Sequence, residues 1–146
     1  MRKERRMIMN TKTYTILPQE AKDIRIEVFV KEQGFENEFD EIDTISHHIV
    51  AFDERKPIGT CRFFKENDHY TIGRVAVLKE YRNQHMGNLL LESAENEIKK
   101  LNGDLIVVHA QVRIHPFYEK QGYIQFGQID DDEGVPHMWM KKKIQY

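Results

Sequence analysis

Apolar residues at Leu90, Leu91, Ala94, Ile98 and Leu101 recur by threes and fours, which predicts one buried stripe along a helix. That helix should stop at Asn102-Gly103, with Lys99 and Lys100 in its last turn. The apolar runs 75–78 and 105–108 have the length and composition of buried strands. Upstream, 13–17 reads as a first strand. Pro18 then opens a helix with Ala21, Ile24 and Val28 on one face, ended by Gly34. An acidic, aromatic loop over 35–43 leads to a strand at 47–53, and turns at Arg55-Lys56-Pro57 and Asn67-Asp68 bound further strands at 58–65 and 69–78. Three antiparallel strands are thereby laid side by side. Downstream, Pro116 and Gly122 bracket a short helix over 117–121, a strand starts at Tyr123, 130–134 forms a hairpin tip and 135–144 is the last strand. The order is strand, helix, three strands, helix, strand, helix, two strands, an α/β (α+β) protein.

Composition narrows the picture. A chain of 146 residues is long enough for one domain with its own core, placed here at 11–146. Residues 1–10 read as a basic, loosely held extension. The net charge of −2 offers no general attraction to nucleic acid, and no interleaved basic and aromatic platform is present. No apolar run approaches the length of a membrane span, and Met-Arg-Lys-Glu-Arg-Arg lacks the apolar stretch of a secretion signal, so a cytoplasmic protein is expected. The single Cys61 sits in an apolar segment and reads as strand packing rather than a nucleophile.

The chemistry concentrates in two blocks. From Val75 to Leu91 a strand runs through a basic turn into a helix. Lys79, Arg82 and His85 crowd a helix start whose dipole already repels cations, and no acid lies between Tyr81 and Leu91, a conflict that a bound anion would resolve. Backbone amides of Asn83, Gln84, His85, Met86, Gly87 and Asn88 could donate to a pyrophosphate, with Gly87 keeping a side chain out of the way. The second block reads His109-Ala-Gln111-Val-Arg-Ile-His115-Pro-Phe117-Tyr118, then Gly122-Tyr123.

The frame Arg82, Asn83, Gln84, His85, Met86, Gly87 resembles the acyl-CoA signature of the GNAT superfamily of N-acetyltransferases, with His85 standing where a first glycine is usual, so either this turn needs no positive φ there or His85 adopts one at some cost. Phe117, Tyr118, Gly122 and Tyr123 resemble that family's closing motif, and Gln111 stands where an Asn is often found. The resemblance covers about Lys12 to Ile144, and the segment from Glu27 to Gln33 is similar to the small bacterial ElaA-like and YjcF-like branch. It implies a GNAT fold, a mixed central sheet with splayed parallel strands and flanking helices. It also implies acetyl-CoA as cosubstrate, with Val75, Ala76 and Val77 lending backbone groups to the pantetheine arm and a bulge near Gly73-Arg74. A small primary amine is the expected acceptor ahead of a protein amine, attacking directly in a ternary complex, with Tyr118, a phenol of ordinary acidity in the same general region as a thiol, either supplying a proton to the leaving thiolate or stabilising it by a hydrogen bond. Glu32, Asp43, His109 and His115 are candidate bases. The acids of 36–43 and 130–133 read either as solvated turns or as steering groups for a cationic amine. No metal is expected: His47 and His48 point to opposite faces of a strand, and the acids lack EF-hand spacing. The competing reading is a non-catalytic acyl-CoA-binding or sensing module, and an enzyme making acyl-amine signals is a third. A homodimer and a monomer are both compatible with the sequence.

Overall fold

The computed structural model describes residues 8–36 and 38–146. One sheet of seven strands runs in the order β1-β2-β3-β4-β5-β7-β6, with β1 (Met9–Tyr14), β2 (His47–Asp53), β3 (Lys56–Glu66), β4 (His69–Val77), β5 (Leu105–Gln111), β6 (Ile124–Asp132) and β7 (Val135–Lys143). All pairings are antiparallel except β4 with β5. On one face, α2 (Met86–Lys100) and the short α3 (His115–Lys120) cover a core of Ile49, Ile58, Phe63, Ile72, Leu90, Ile98 and Met140. On the other, α1 (Gln19–Arg25) and its continuation bury Ala21, Ile24, Val28 and Phe29 against Val50, Phe52 and Ala76. The apolar stripe read from the sequence is thus the face that α2 buries.

The helix after Pro18 departs from its expected form. Beyond Arg25 it widens into a π-helix over Ile26–Glu32, and Gly34 closes it at φ +76° with Phe35 N–H donating to the Phe29 carbonyl. Widened turns of this kind re-aim side chains. Here Glu32 and Gln33 are carried to the C-terminal end of β5, where Gln33 Oε1 accepts from Gln111 Nε2 at 2.8 Å.

Other boundaries also move. The first strand is Met9–Tyr14 rather than 13–17, so Met9 and Asn10 pair with Asp53 and Phe52 instead of belonging to a loose extension. Residues 1–7 of that extension lie outside the described residues. Helix α2 ends as expected, but Asn102, not Gly103, takes the left-handed conformation at φ +64°, and Gly103 N–H reaches back to Ile98. Gly103 is required for space, since a Cβ there would lie 2.5 Å from Ile98 and 2.7 Å from Tyr70. Strand β6 continues to Asp132 through a bulge at Gly127, and the hairpin tip shrinks to Glu133-Gly134.

Candidate active site

Strands β4 and β5 pair over only three positions, Tyr70 with Ile106, Thr71 with Val107 and Ile72 with Val108, and then separate. The separation begins where β4 bulges. Thr60 faces Ala76 but Arg62 faces Gly73, so β4 carries one extra residue there, and Arg74 adopts φ +53°. The bulge read near Gly73-Arg74 is present. An open cleft of about 1510 Å³ follows, running from the start of α2 to the β6–β7 hairpin. Residues 75–77 form one wall; Gln111, Phe117 and Tyr118 line the other.

The turn into α2 has the shape that its sequence posed as a question. His85 takes the left-handed conformation at φ 63° and ψ 22°, the geometry that a glycine would adopt without strain, and Asn83 does the same at φ 63°. No side chain caps the helix, and its first backbone bond is Leu89 N–H to His85 O, which leaves the amides of 86–88 without carbonyl partners in the helix. Asn83, His85, Met86, Gly87 and Asn88 line the cleft. Gly87 is held small by packing: a Cβ there would stand 3.2 Å from the Phe117 ring. Two expectations change. Gln84 is outside the cleft lining, its side-chain amide donating to the Glu80 carbonyl. Arg82 lines the cleft, but its charge is already matched, with two bonds to Glu32 at 2.7 and 2.9 Å and one to the Val77 carbonyl. Part of the charge conflict at the helix start is therefore relieved within the chain.

Tyr118 is buried against Phe117 and Tyr123, both edge-on, and burial pushes its phenol well above the ordinary value. The sequence-based match between phenol and thiol acidity does not hold in this setting. Cys61 is sealed on β3, its thiol raised to about 12 by burial, and it packs as expected.

The acidic loop is neither a solvated turn nor an open steering patch. Arg25, 1% exposed, binds Glu38 at 2.7 Å and Asp43 at 2.8 Å. Arg62 binds Asp40 at 2.7 Å and Asp43 at 2.9 Å, and Arg74 reaches Glu38 at 3.1 Å and Asp40 at 3.3 Å. Three arginines from α1, β3 and β4 thus neutralise three acids of one loop and pin it over the cleft. Burial pushes the Asp43 carboxyl up, but hydrogen bonds from Arg25 and Arg62, reinforced by their charges, outweigh it and hold it down to about 2. Such a carboxylate is no base at neutral pH. The hydrogen bond from Arg82 likewise lowers Glu32. His115 Nδ1–H donates to the Val112 carbonyl at 2.7 Å, and the residue does not line the cleft. Of the four candidate bases, His109 alone keeps a suitable place.

A splayed parallel pair, a bulge beside it and an uncapped helix start opening on one cleft define the site. A family model described as an acetyltransferase (GNAT) domain matches residues 15–144. The chain belongs to the GNAT family of acetyltransferases. It is 34% identical over 122 residues to the uncharacterised N-acetyltransferase YjcF of Bacillus subtilis, a match covering 82% of this chain and 87% of that one. The crystal structure of Escherichia coli ElaA superposes with a TM-score of 0.82 at 22% identity, covering 92% of this chain and 99% of that one. An aminoglycoside 6'-N-acetyltransferase complexed with coenzyme A shares the fold, with a TM-score of 0.71 at 15% identity over 94% and 97% of the two chains.

Within this GNAT domain, sequence reading missed the residues of β7 that line the cleft. His137 and Trp139 project from β7 beside His109, because β5 pairs with β7 in the register Gln111 to His137 and His109 to Trp139. His109 also binds Asp130 at 2.7 Å, which removes that aspartate from the simple exposed turn expected of it. The alternation of His137, Trp139 with buried Met138, Met140 was a visible signal for two residues on the cleft face. Among the described residues no group of three or more His, Cys, Asp or Glu is placed to hold a metal ion, and no helix is long and apolar enough to cross a membrane.

Proposed function

We propose that this GNAT enzyme moves the acetyl group of acetyl-CoA to a primary amine of a small molecule, by direct attack in a ternary complex. The observation that carries this reading is the single cleft that joins the splayed strands to the uncapped start of α2. Backbone groups of 75–77 take the pantetheine arm as a further strand would, and amides of the turn from Asn83 to Asn88 take the pyrophosphate. Gln111 and Phe117 border the arm. An N–H near Ala76 or Val77 is the donor for charge on the thioester oxygen. Direct attack is supported by Cys61, whose sealed, raised thiol is unfit to carry an acyl group. A small acceptor is supported by the outer rim, where Glu36 N–H donates to Glu133 at 3.0 Å and bridges the acidic loop to the β6–β7 hairpin.

Tyr118 acts here as a hydrogen-bond donor to the departing thiolate. A phenol raised by burial stays protonated and gives up its proton reluctantly, so stabilising the sulfur anion suits it better than full proton transfer. Tyr118→Phe should lower kcat by about 10- to 100-fold with acetyl-CoA affinity within about twofold of the parent. Stopped-flow turnover with calorimetry checks this, and an unchanged chemical step would make Tyr118 a core residue only.

The reading as a whole is tested by measuring CoA release over a panel of small amines, with mass spectrometry of the products. Acetylated amine formed in step with CoA supports it. Tight acetyl-CoA binding with no turnover across the panel would favour a sensor.

A further inference from the structure

Two imidazoles stand side by side at the acceptor end, with His109 and His137 ring centroids 4.7 Å apart and His109 stacked on Trp139 at 4.3 Å. Their hydrogen bonds differ in kind. His137 Nδ1 lies 2.8 Å from the Val135 carbonyl, and a carbonyl can only accept, so Nδ1 carries the proton and the neutral ring keeps its lone pair on Nε2. Although His137 is only 6% exposed, Nε2 is not sealed: among the described residues, the sealed side-chain polar atoms without partners are Arg62 Nε and Thr71 Oγ1. His137 lines the cleft, and Nε2 has no hydrogen-bond partner there among the described residues. The neighbouring His109 has its Nε2 2.7 Å from the Asp130 carboxylate, which fixes that ring as an Nε2–H donor and sets a negative charge behind the pair.

We propose that His137 is the catalytic base that deprotonates the acceptor ammonium, with His109 and Asp130 as positioning residues. This rests on the amine-transfer reading above. His137 Nε2 takes one proton from the ammonium nitrogen. The freed lone pair forms the N–C bond to the thioester carbonyl carbon, and the C–S bond breaks with its electron pair leaving on sulfur. One proton of the acylated nitrogen ends on that sulfur, and His137 returns its proton to solvent. The protein supplies the first proton acceptor, and no oxidant or further reactant is needed. Asp130 offers the charge that faces the imidazolium once it forms.

The test uses acetyl-CoA with two probes, phenethylamine, which reaches neutral solution as an ammonium, and hydroxylamine, which is already neutral. His137→Gln should lower kcat/KM for phenethylamine by about 100-fold or more and for hydroxylamine by less than about tenfold, a gap that a merely structural role would not produce. Acetyl-CoA affinity by calorimetry should stay near the parent value, and His137→Asn serves if the glutamine variant does not fold. Equal losses with both probes, no loss, or a selective loss in His109→Gln in place of His137→Gln would overturn the proposal. Imidazole nitrogen NMR supplies an arm that needs no acceptor: the neutral His137 ring should carry its proton on Nδ1, and a proton on Nε2 overturns the assignment. If the parent protein binds acetyl-CoA yet acetylates neither probe nor any amine of the panel, the amine-transfer reading falls and the base falls with it. Failure confined to the variant pattern removes the base alone.

Discussion

Arg25→Met should lower the free energy of unfolding by about 3–5 kcal/mol, because it strips the buried Glu38 and Asp43 of a shared partner while leaving their charges inside. Domains of this size are held by about 5–15 kcal/mol in all, so the variant should sit near the edge of stability. Urea unfolding measures the change. The surface pair Lys31–Glu27, with both side chains more than half exposed, is the control: Lys31→Ala should cost less than about 0.5 kcal/mol. Adding Glu38→Gln to Arg25→Met should recover part of the loss, since burial already raises the Glu38 carboxyl and removing its charge removes the group left most exposed to that penalty. The network also holds the loop over the end of the cleft proposed to take the acceptor. In any folded variant, acceptor KM should therefore rise more than the Kd for acetyl-CoA. Loss of stability equal to that of the surface control would mean that the arginine cluster is not what pins the loop.

That network shows which parts of the molecule the sequence could disclose. Strands β2 and β4, the apolar stripe of α2 and the basic turn before it rest on local periodicity and local backbone demands, and those are written in consecutive residues. The partners of Glu38, Asp40 and Asp43 come from α1, β3 and β4, so the acids looked exposed until the chain was closed around them. The same holds for His137. Its significance depends on β7 lying against β5 in a register that brings it next to His109, and strand pairing between distant segments leaves no local trace. The π-helix at Ile26–Glu32 had no composition signal either, and the edge-on contact of Phe29 with Phe35 that accompanies it forms only once the chain has turned back after Gly34. At His85 the question was legible but the answer was not: the left-handed conformation was one of two options, and a φ of 63° shows which was taken.

Gly87→Leu should weaken acetyl-CoA binding by about 100-fold, the equivalent of losing one or two charge-assisted hydrogen bonds to backbone amides. The mechanism is specific. A Cβ at 87 would come within 3.2 Å of the Phe117 ring, so a larger side chain must move that ring or turn into the cleft over the amides of 86–88. Unfolding stability should fall only by about 1–2 kcal/mol, because the Phe117 ring is at the edge of the core and can shift. Pairing Gly87→Ala with Phe117→Leu separates the two effects. If crowding of the ring is the cause, the paired change should restore most of the binding that Gly87→Ala loses. Arg82→Ala should have a smaller, salt-sensitive effect than the anion-site reading of the sequence alone would give, since Glu32 already holds that guanidinium. Unchanged affinity in folded Gly87→Leu would place the pyrophosphate elsewhere.

The central claim is that acetyl-CoA lies along the splayed β4 with its pyrophosphate on the start of α2. Backbone amide NMR during an acetyl-CoA titration tests it most directly, because the claim concerns main-chain groups that substitution hardly touches. The account predicts saturable binding with the largest shifts at 75–77 and 83–88, and smaller ones at Gln111 and Phe117. Saturable binding with those amides unmoved, or no binding at all, would contradict it.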